Sequence, residues 1–511
     1  MRLLKLRSSF ILLVVIATFN FSCNKQLDVD SSSVAKQANA WKTLEDARAG
    51  VMGMYGLLRA AMATNNSHWL WGELRNGAFV STTRPDLKAI IEGNLNAGYP
   101  IIEDATDWRR FYALINACNV FLENVEKCRE DSRYTRAYYN VDVAQARALR
   151  AFAYFYITRI WGDVPLITSS GESDDFKAIS RTDKSAVLGF AEKELIAAAP
   201  DLPFTYSGTD PEFKFPQNYY GGNQDFWSNA PVTRLAAYAI LAHVMAWQGK
   251  YADVATYTEF IISNASRAGL RIADSDELVS SGSDGIFSSS TGNYKQLFGV
   301  RFLKSKGEFT VDGHIENLTL ANTTNFRMSK MLPDIYIPKE RINSIFSSFP
   351  GDQNWDERLT ARYFENYDAE IPVFTKIRVI DEGVAAPNYI IYNSAIVFTR
   401  LEEIKLLRAE ALAVLGQYNS GSSELNGVRS ARGLGSLVIA DRETLLYAVF
   451  TERVKELMGE GWVWYDLVRY NKIVRTNEVW NNLIDQGGIY WPVSKEVLNS
   501  NKQIQQTPYW K

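Results

Sequence analysis

Residues 452–470 read ERVKELMGEGWVWYDLVRY. Three glutamates (Glu452, Glu456, Glu460) recur every four positions, with Arg453 and Lys455 among them, before a knot of aromatics with Asp466 and Arg469. Paired carboxylates beside flat rings are what a glycosidase would need. Helical spacing supplies the other reading. Leu446, Val449, Phe450, Arg453, Leu457 and Gly461 continue one helical face, and Lys455 and Arg453 stand three positions from Glu452 and Glu456. Trp462, Tyr465 and Arg469 share one side of a second helix. The stretch is read as a packing and ion-pair seam in a helical frame.

The same period extends outward in both directions. Thr43-Leu-Glu-Asp opens a helix as a capping box, with Leu44, Ala47, Val51, Met54, Tyr55 and Leu58 on one face. Trp108, Phe111, Tyr112, Ile115, Cys118, Leu122 and Val125 predict a second helix. Val143 to Ile160 predict a third, stopped by Gly162 and Pro165. Residues 231–262 and 401–434 each read as two helices with small alanines at close spacing, turning at Gly249-Lys-Tyr251 and at Gly416 to Tyr418. That is tetratricopeptide logic, and weaker copies fall at 141–198 and 442–470. The fold class is therefore mostly α, a tetratricopeptide-like helical-repeat scaffold. Two stretches break the period, at about 65–107 and 267–392. They read as long loop insertions, with short strands at TKIRVI (375–380) and NYIIYNS (388–394).

The bulk numbers bound the function. The chain has 511 residues, 46% hydrophobic and 22% charged, as in a packed globular protein. A net charge of −3 argues against nucleic acid as a partner. The first residues form an address: Arg2, Lys5 and Arg7, an apolar run from Phe10 to Phe19, then Ser22-Cys23. That run falls short of the ~20 apolar residues of a membrane span. Residues 1–22 are read as a signal peptide, 23–40 as a flexible polar tether, and 41–511 as one domain. Cys118 and Cys128 stand about 15 Å apart along a helix, beyond the ~7 Å Cα limit of a disulfide, and read as inert core thiols.

Catalytic motifs do not emerge. His68, His243 and His314 are the three histidines, without zinc-ligand spacing, and no metal or cofactor is predicted. No nucleophile elbow or phosphate loop occurs, and Gly459-Glu-Gly461 is a lone G-x-G. The missing motifs count against an enzyme without deciding the class.

Several stretches together resemble the SusD/RagB family of Bacteroidetes outer-membrane lipoproteins. RALRAFAYFYITRIWGDVPL (147–166), RLEEIKLLRAEAL (400–412), LNGVRSARGL (425–434) and the stretch at 452–470 are similar to its signatures. CNKQLDV with the helix after Trp41 resembles its N-terminus, and WPVSKEVLNSNKQIQQTPYW (491–510) its ending. The tail departs in detail, with Val493-Ser494, Lys502, Thr507 and Tyr509 at pattern positions. The resemblance implies acylation of Cys23, although Asn20 and Phe21 depart from the usual lipobox. It also implies a lipid-anchored protein at the cell surface, in the outer membrane. Such a protein captures a nutrient, a glycan or a peptide, for a SusC-like TonB-dependent transporter. A surface glycosidase or peptidase is the alternative from another class.

The ligand residues are expected from composition, since aromatics stack on sugar faces and amides or guanidinium groups bind hydroxyls. The first irregular stretch offers Trp69, Trp71, Asn76, Arg84, Asn94, Asn96 and Tyr99. The second offers Tyr294 and Phe326, with Phe298, Asn325 and Trp355 as further aromatic and amide groups.

Overall fold

The computed structural model describes residues 40–511, apart from 76, 171–177, 213–217, 304–305, 309–312, 326, 360–361 and 383–389. Ten helices carry the frame: α1 (Leu44–Ala63), α2 (Arg109–Asn124), α3 (Arg136–Trp161), α4 (Lys184–Ala198), α5 (Arg234–Gln248), α6 (Tyr251–Asn264), α7 (Leu401–Val414), α8 (Tyr418–Ser430), α9 (Arg442–Glu456) and α10 (Val463–Val474). Consecutive helices pack in pairs: α1 on α2, α3 on α4, α5 on α6, and α7 on α8. Neighbouring pairs join through α2–α3, α4–α5, α6–α7 and α7–α9.

Local sequence explains the ends. Thr43 Oγ1 accepts from the Asp46 amide at 3.2 Å while the Asp46 carboxylate takes the Thr43 amide at 2.9 Å, the expected capping box. Asp183, Thr233 and Asp441 cap α4, α5 and α9 with one bond each, their side chains accepting a first-turn amide. Gly249 ends α5 at φ 78°, where a side chain would be strained. Ala47, Val51, Met54 and Leu58 bury the inner face of α1, and α3 is buried almost all round from Ala144 to Trp161. Cys118 and Cys128 are buried free thiols, and burial pushes them up to about 12 and about 11.

Among the described residues, the second insertion and the stretch that leads from it into α7 carry six short strands in three antiparallel pairs: β1 (Gln296–Val300) with β6 (Ile396–Arg400), β2 (Phe364–Glu365) with β3 (Val373–Phe374), and β4 (Ile380–Glu382) with β5 (Ile390–Tyr392). The first insertion is more ordered than its sequence suggests. Ser67–Trp69 is a single α-helical turn that widens into a π-helical turn at Leu70–Leu74, and Pro85–Ile91 and Pro100–Ala105 are short helices with proline in the first turn.

The three glutamates form a buried seam, but α9 ends at Glu456 and leaves Glu460 on the turn after it, and most of their partners are remote in sequence. Glu456 receives Arg432 Nε and Nη2 at 2.9 Å each, Arg400 Nη1 at 2.7 Å and Arg358 Nη1 at 2.9 Å. Glu460 receives Lys376 Nζ at 2.6 Å and Arg400 Nη2 at 2.8 Å. Glu452 takes Arg358 at 2.7 Å, with Lys455 at 3.5 Å as its one partner on the same helix. Arg453, expected beside Glu456, turns instead to Asp466 and Glu403, at 2.8 and 2.9 Å. Burial alone would raise the Glu456 pKa, but Arg432, Arg400 and Arg358 hold it well below the ordinary carboxylate range. Glycines of the lone G-x-G form the turn into α10. The amides of Gly459 and Gly461 donate to the buried Glu73 carboxylate at 2.8 and 2.9 Å. Gly461 has φ 80°, and a Cβ there would lie 2.4 Å from His68 Nε2. This turn therefore ties the first insertion to the helical frame.

Candidate functional site

A cavity of about 340 Å³ opens between α1, the segment 226–231 and the chain leaving β1. Its volume is that of a small-ligand site. Helical periodicity builds one wall. Arg48, Met52, Tyr55 and Arg59 are spaced four, three and four residues apart, so they form the stripe beside the core stripe of Ala47, Val51, Met54 and Leu58. Tyr55, expected among the core residues of α1, is half-buried and lines this cavity. Its hydroxyl donates to Gln145 Oε1 at 2.9 Å and accepts from the Val232 amide at 2.8 Å, which fixes the ring.

The second wall is aromatic. Asn223 caps the turn Gln224–Trp227, accepting from the Phe226 amide at 2.9 Å. Trp227 Nε1 donates to the Tyr219 carbonyl at 2.7 Å, and Phe226 meets Trp227 edge to face with centroids 4.7 Å apart. The third wall is polar. Arg301, 9% exposed, donates through Nη2 to the Phe226 carbonyl at 2.8 Å, and its buried Nη1 has no partner among the described residues. Burial lowers its pKa to about 10, Glu308 acting in the opposite sense, so it stays charged at neutral pH. Glu308 pairs with Arg59 at 2.9 Å and accepts from the Leu303 amide at 3.0 Å. Flat rings and fixed donors around a ligand-sized space suit a ligand with apolar faces and polar edges. One carboxylate lines the cavity among the described residues, so the paired acids of glycoside cleavage are not assembled there. No cluster of His, Cys, Asp and Glu suited to a metal occurs among the described residues.

The residues expected from composition do not converge. Trp69 and Trp71 are each 2% exposed and belong to the core, a correction to their reading as ligand groups. Trp69 Nε1 donates to the Gly459 carbonyl at 3.0 Å and Trp71 Nε1 to the Ala105 carbonyl at 2.8 Å. Each indole thus buries its ring and satisfies its single donor inside the protein. Arg84 is held at the surface by Asp86 at 2.7 Å and Asp334 at 3.6 Å. Asn94 and Asn96 are exposed, and Asn96 borders a shallow groove against Pro492–Lys495, away from the cavity. Tyr99 packs partly buried on the core. Tyr294 lies nearest: it donates to Asp225 at 2.5 Å and lines a narrow pocket that shares Trp227 with the cavity. Phe298 is core, and Asn325 donates to Glu365 at 3.0 Å. Asn76 and Phe326 lie outside the described residues. Trp355, 74% exposed, stands on a turn clamped by the buried Asp352 and Asp356, beside Arg362 and Tyr367, and is not part of the cavity. The missed signal was the stripe Arg48, Met52, Tyr55, Arg59, which periodicity places next to the core without showing that an insertion covers it.

Comparison with known proteins agrees with the architecture. Residues 350–510 match the SusD family, and residues 75–218 match a family described as starch-binding and associating with the outer membrane. SusD-like protein P38 of Formosa agariphila is 27% identical, covering 98% of each chain. A SusD homolog of Bacteroides thetaiotaomicron, 22% identical over 92% of this chain and 100% of its own, shares the fold with a TM-score of 0.74. The crystal structure of a SusD superfamily protein from the same organism covers 92% of this chain and 99% of its own, with a TM-score of 0.83. At 42% identity over that length, and with the same mostly helical frame, the chain belongs to the SusD superfamily.

Proposed function

We propose that the chain is a nutrient-binding lipoprotein of the outer membrane. It would be anchored at the cell surface by acylation of Cys23, capture a glycan and deliver it to a SusC-like TonB-dependent transporter. The observation that carries this reading is the ligand-sized cavity walled by Tyr55, Phe226, Trp227 and arginines, in a member of a family with a starch-binding, outer-membrane description. The leader supports the anchoring: Cys23 directly follows the apolar run, and residues 23–40 would serve as tether to one domain over 41–511. No helix among the described residues is long and apolar enough to cross a membrane. The role is capture without turnover, because the cavity's described lining brings aromatic and guanidinium groups together without a nucleophile and its base.

Calorimetry against a panel of neutral and acidic oligosaccharides tests capture. Binding that weakens at least 10-fold in Phe226→Ala supports it, and hydrolysis of any ligand would transfer the protein to the enzyme class. Metabolic labelling with a fatty acid tests the anchor: label retained by Cys23→Ala would refute acylation at that thiol. Co-purification of a barrel transporter with the wild-type chain tests delivery.

A further inference from the structure

We infer that the cavity takes an acidic saccharide, a glycan segment bearing carboxylate or sulfate groups, with Arg48, Arg301 and Lys306 receiving the anionic group. This rests on the glycan-capture reading and narrows it to a ligand class.

The first argument is the local charge balance. The whole chain has 55 basic and 58 acidic residues, so a random lining would be near neutral. The cavity is lined by four basic side chains, Arg48, Arg59, Arg301 and Lys306, and by one acid. That acid, Glu308, is already committed to Arg59 at 2.9 Å and to the Leu303 amide at 3.0 Å. Three cations are left facing one small space with no carboxylate partner among the described residues. Close apolar walls, here Met52, Phe226, Trp227 and Val300, strengthen a field of one sign.

The second argument is Arg301. A buried guanidinium is costly unless it is paired, and the frame follows that rule. Arg358, Arg400, Arg432, Arg453 and Arg469 are almost fully buried, and each meets at least two carboxylates. Two other buried arginines lack a carboxylate but lie over ring faces: Arg75 is 4.1 Å from the Trp464 centroid and Arg159 is 3.5 Å from that of Tyr465. Arg301 has no ion pair and no ring face among the described residues, and Glu308 acts on it only from beyond ion-pair distance. It has one carbonyl, a Nη1 without partner, and a place in a cavity wall. Nη1 is sealed from solvent, so a carboxylate or sulfate entering the cavity would become its charge-assisted partner only after the Arg301 side chain turns toward the space. Arg48 is exposed and stands 5.9 Å from the Tyr220 ring, and Lys306 is exposed, so both can close on such a group without disturbing the fold. The half-buried rings of Tyr55 and Phe226 would take the apolar face of the same sugar.

The test is calorimetry on the full chain with matched pairs that differ in charge alone. These are trigalacturonate against its methyl ester and a sulfated galactan oligosaccharide against its desulfated form, with oligoalginate, maltohexaose and pentaglutamate alongside. The expected result is binding of at least one acidic saccharide, 10-fold or more tighter than its neutral partner and weakened by 0.5 M salt. Arg48→Ala with Lys306→Ala, two exposed positions that leave folding intact, should lower that affinity at least 10-fold and flatten its salt dependence. Arg301→Lys should weaken it with unchanged far-UV circular dichroism. Neutral saccharides bound as tightly as acidic ones, and still sensitive to Phe226→Ala, would overturn the acidic preference while leaving glycan capture standing. Pentaglutamate bound in place of every saccharide, or no saccharide bound at all, would overturn both.

Discussion

Glu456→Ala is the sharpest test of the buried seam. The carboxylate accepts four bonds from three arginines, and all four side chains are 0% exposed. After truncation Arg358 keeps Asp356 and Glu452, and Arg400 keeps Glu460. Arg432 is left with Glu402 at 3.4 Å and two carbonyls. Removing one partner of a buried ion pair costs about 3–5 kcal/mol, because the other charge stays buried without compensation. Glu456→Ala is therefore expected to lose about 4 kcal/mol in urea unfolding followed by circular dichroism. Glu496→Ala gives the surface comparison. Its 2.5 Å pair with Arg109 is more than half exposed on both sides and should be worth about 0–1 kcal/mol. Adding Arg432→Met to Glu456→Ala should recover part of the loss, since it removes the charge left unpaired. A Glu456→Ala chain within 1 kcal/mol (roughly the surface-pair value) of the parent, or a double variant no better than the single, would refute the reasoning.

Trp69→Ala should cost about 3–5 kcal/mol by emptying a core site, read as a lower urea midpoint, whereas a ligand-facing tryptophan would leave the midpoint unmoved. Gly461→Ala should destabilise by about 2 kcal/mol or more, from left-handed backbone strain and a Cβ 2.4 Å from His68 Nε2, and a soluble chain with parental melting would contradict that contact. Burial pushes Glu316 up to about 7 from its ordinary 4.5. The folded chain then binds more protons than the unfolded one between those values, so this group's contribution to stability falls as pH rises from about 4.5 to about 7. Glu316→Gln should remove that fall, up to about 3 kcal/mol at about 1.4 kcal/mol per pH unit, and equal pH slopes for both chains would exclude it.

Sequence alone determined the helical frame, because its signals are local. The 3.6-residue period of α1, the Thr43 capping box and the turn at Gly249 each depend on residues within one or two helical turns. It also marked Glu452, Glu456 and Glu460 as structural from their four-residue spacing, although the helix carries only Glu452 and Glu456 and ends before Glu460. Only the tertiary structure decided who neutralises that stripe. Arg358, Lys376, Arg400 and Arg432 lie 24 to 98 positions from the glutamates they bond, beyond any local period. It also decided which aromatics are free for a ligand. Trp69 and Trp355 both sit in stretches without clear periodicity, yet one is 2% and the other 74% exposed, because one faces the glycine turn before α10 and the other faces solvent. The cavity shows the same division. Periodicity places Arg48, Met52, Tyr55 and Arg59 on one stripe, and the segment at 226–231 with residues 299–303, Lys306 and Glu308, brought there by folding alone, turn that stripe into a pocket.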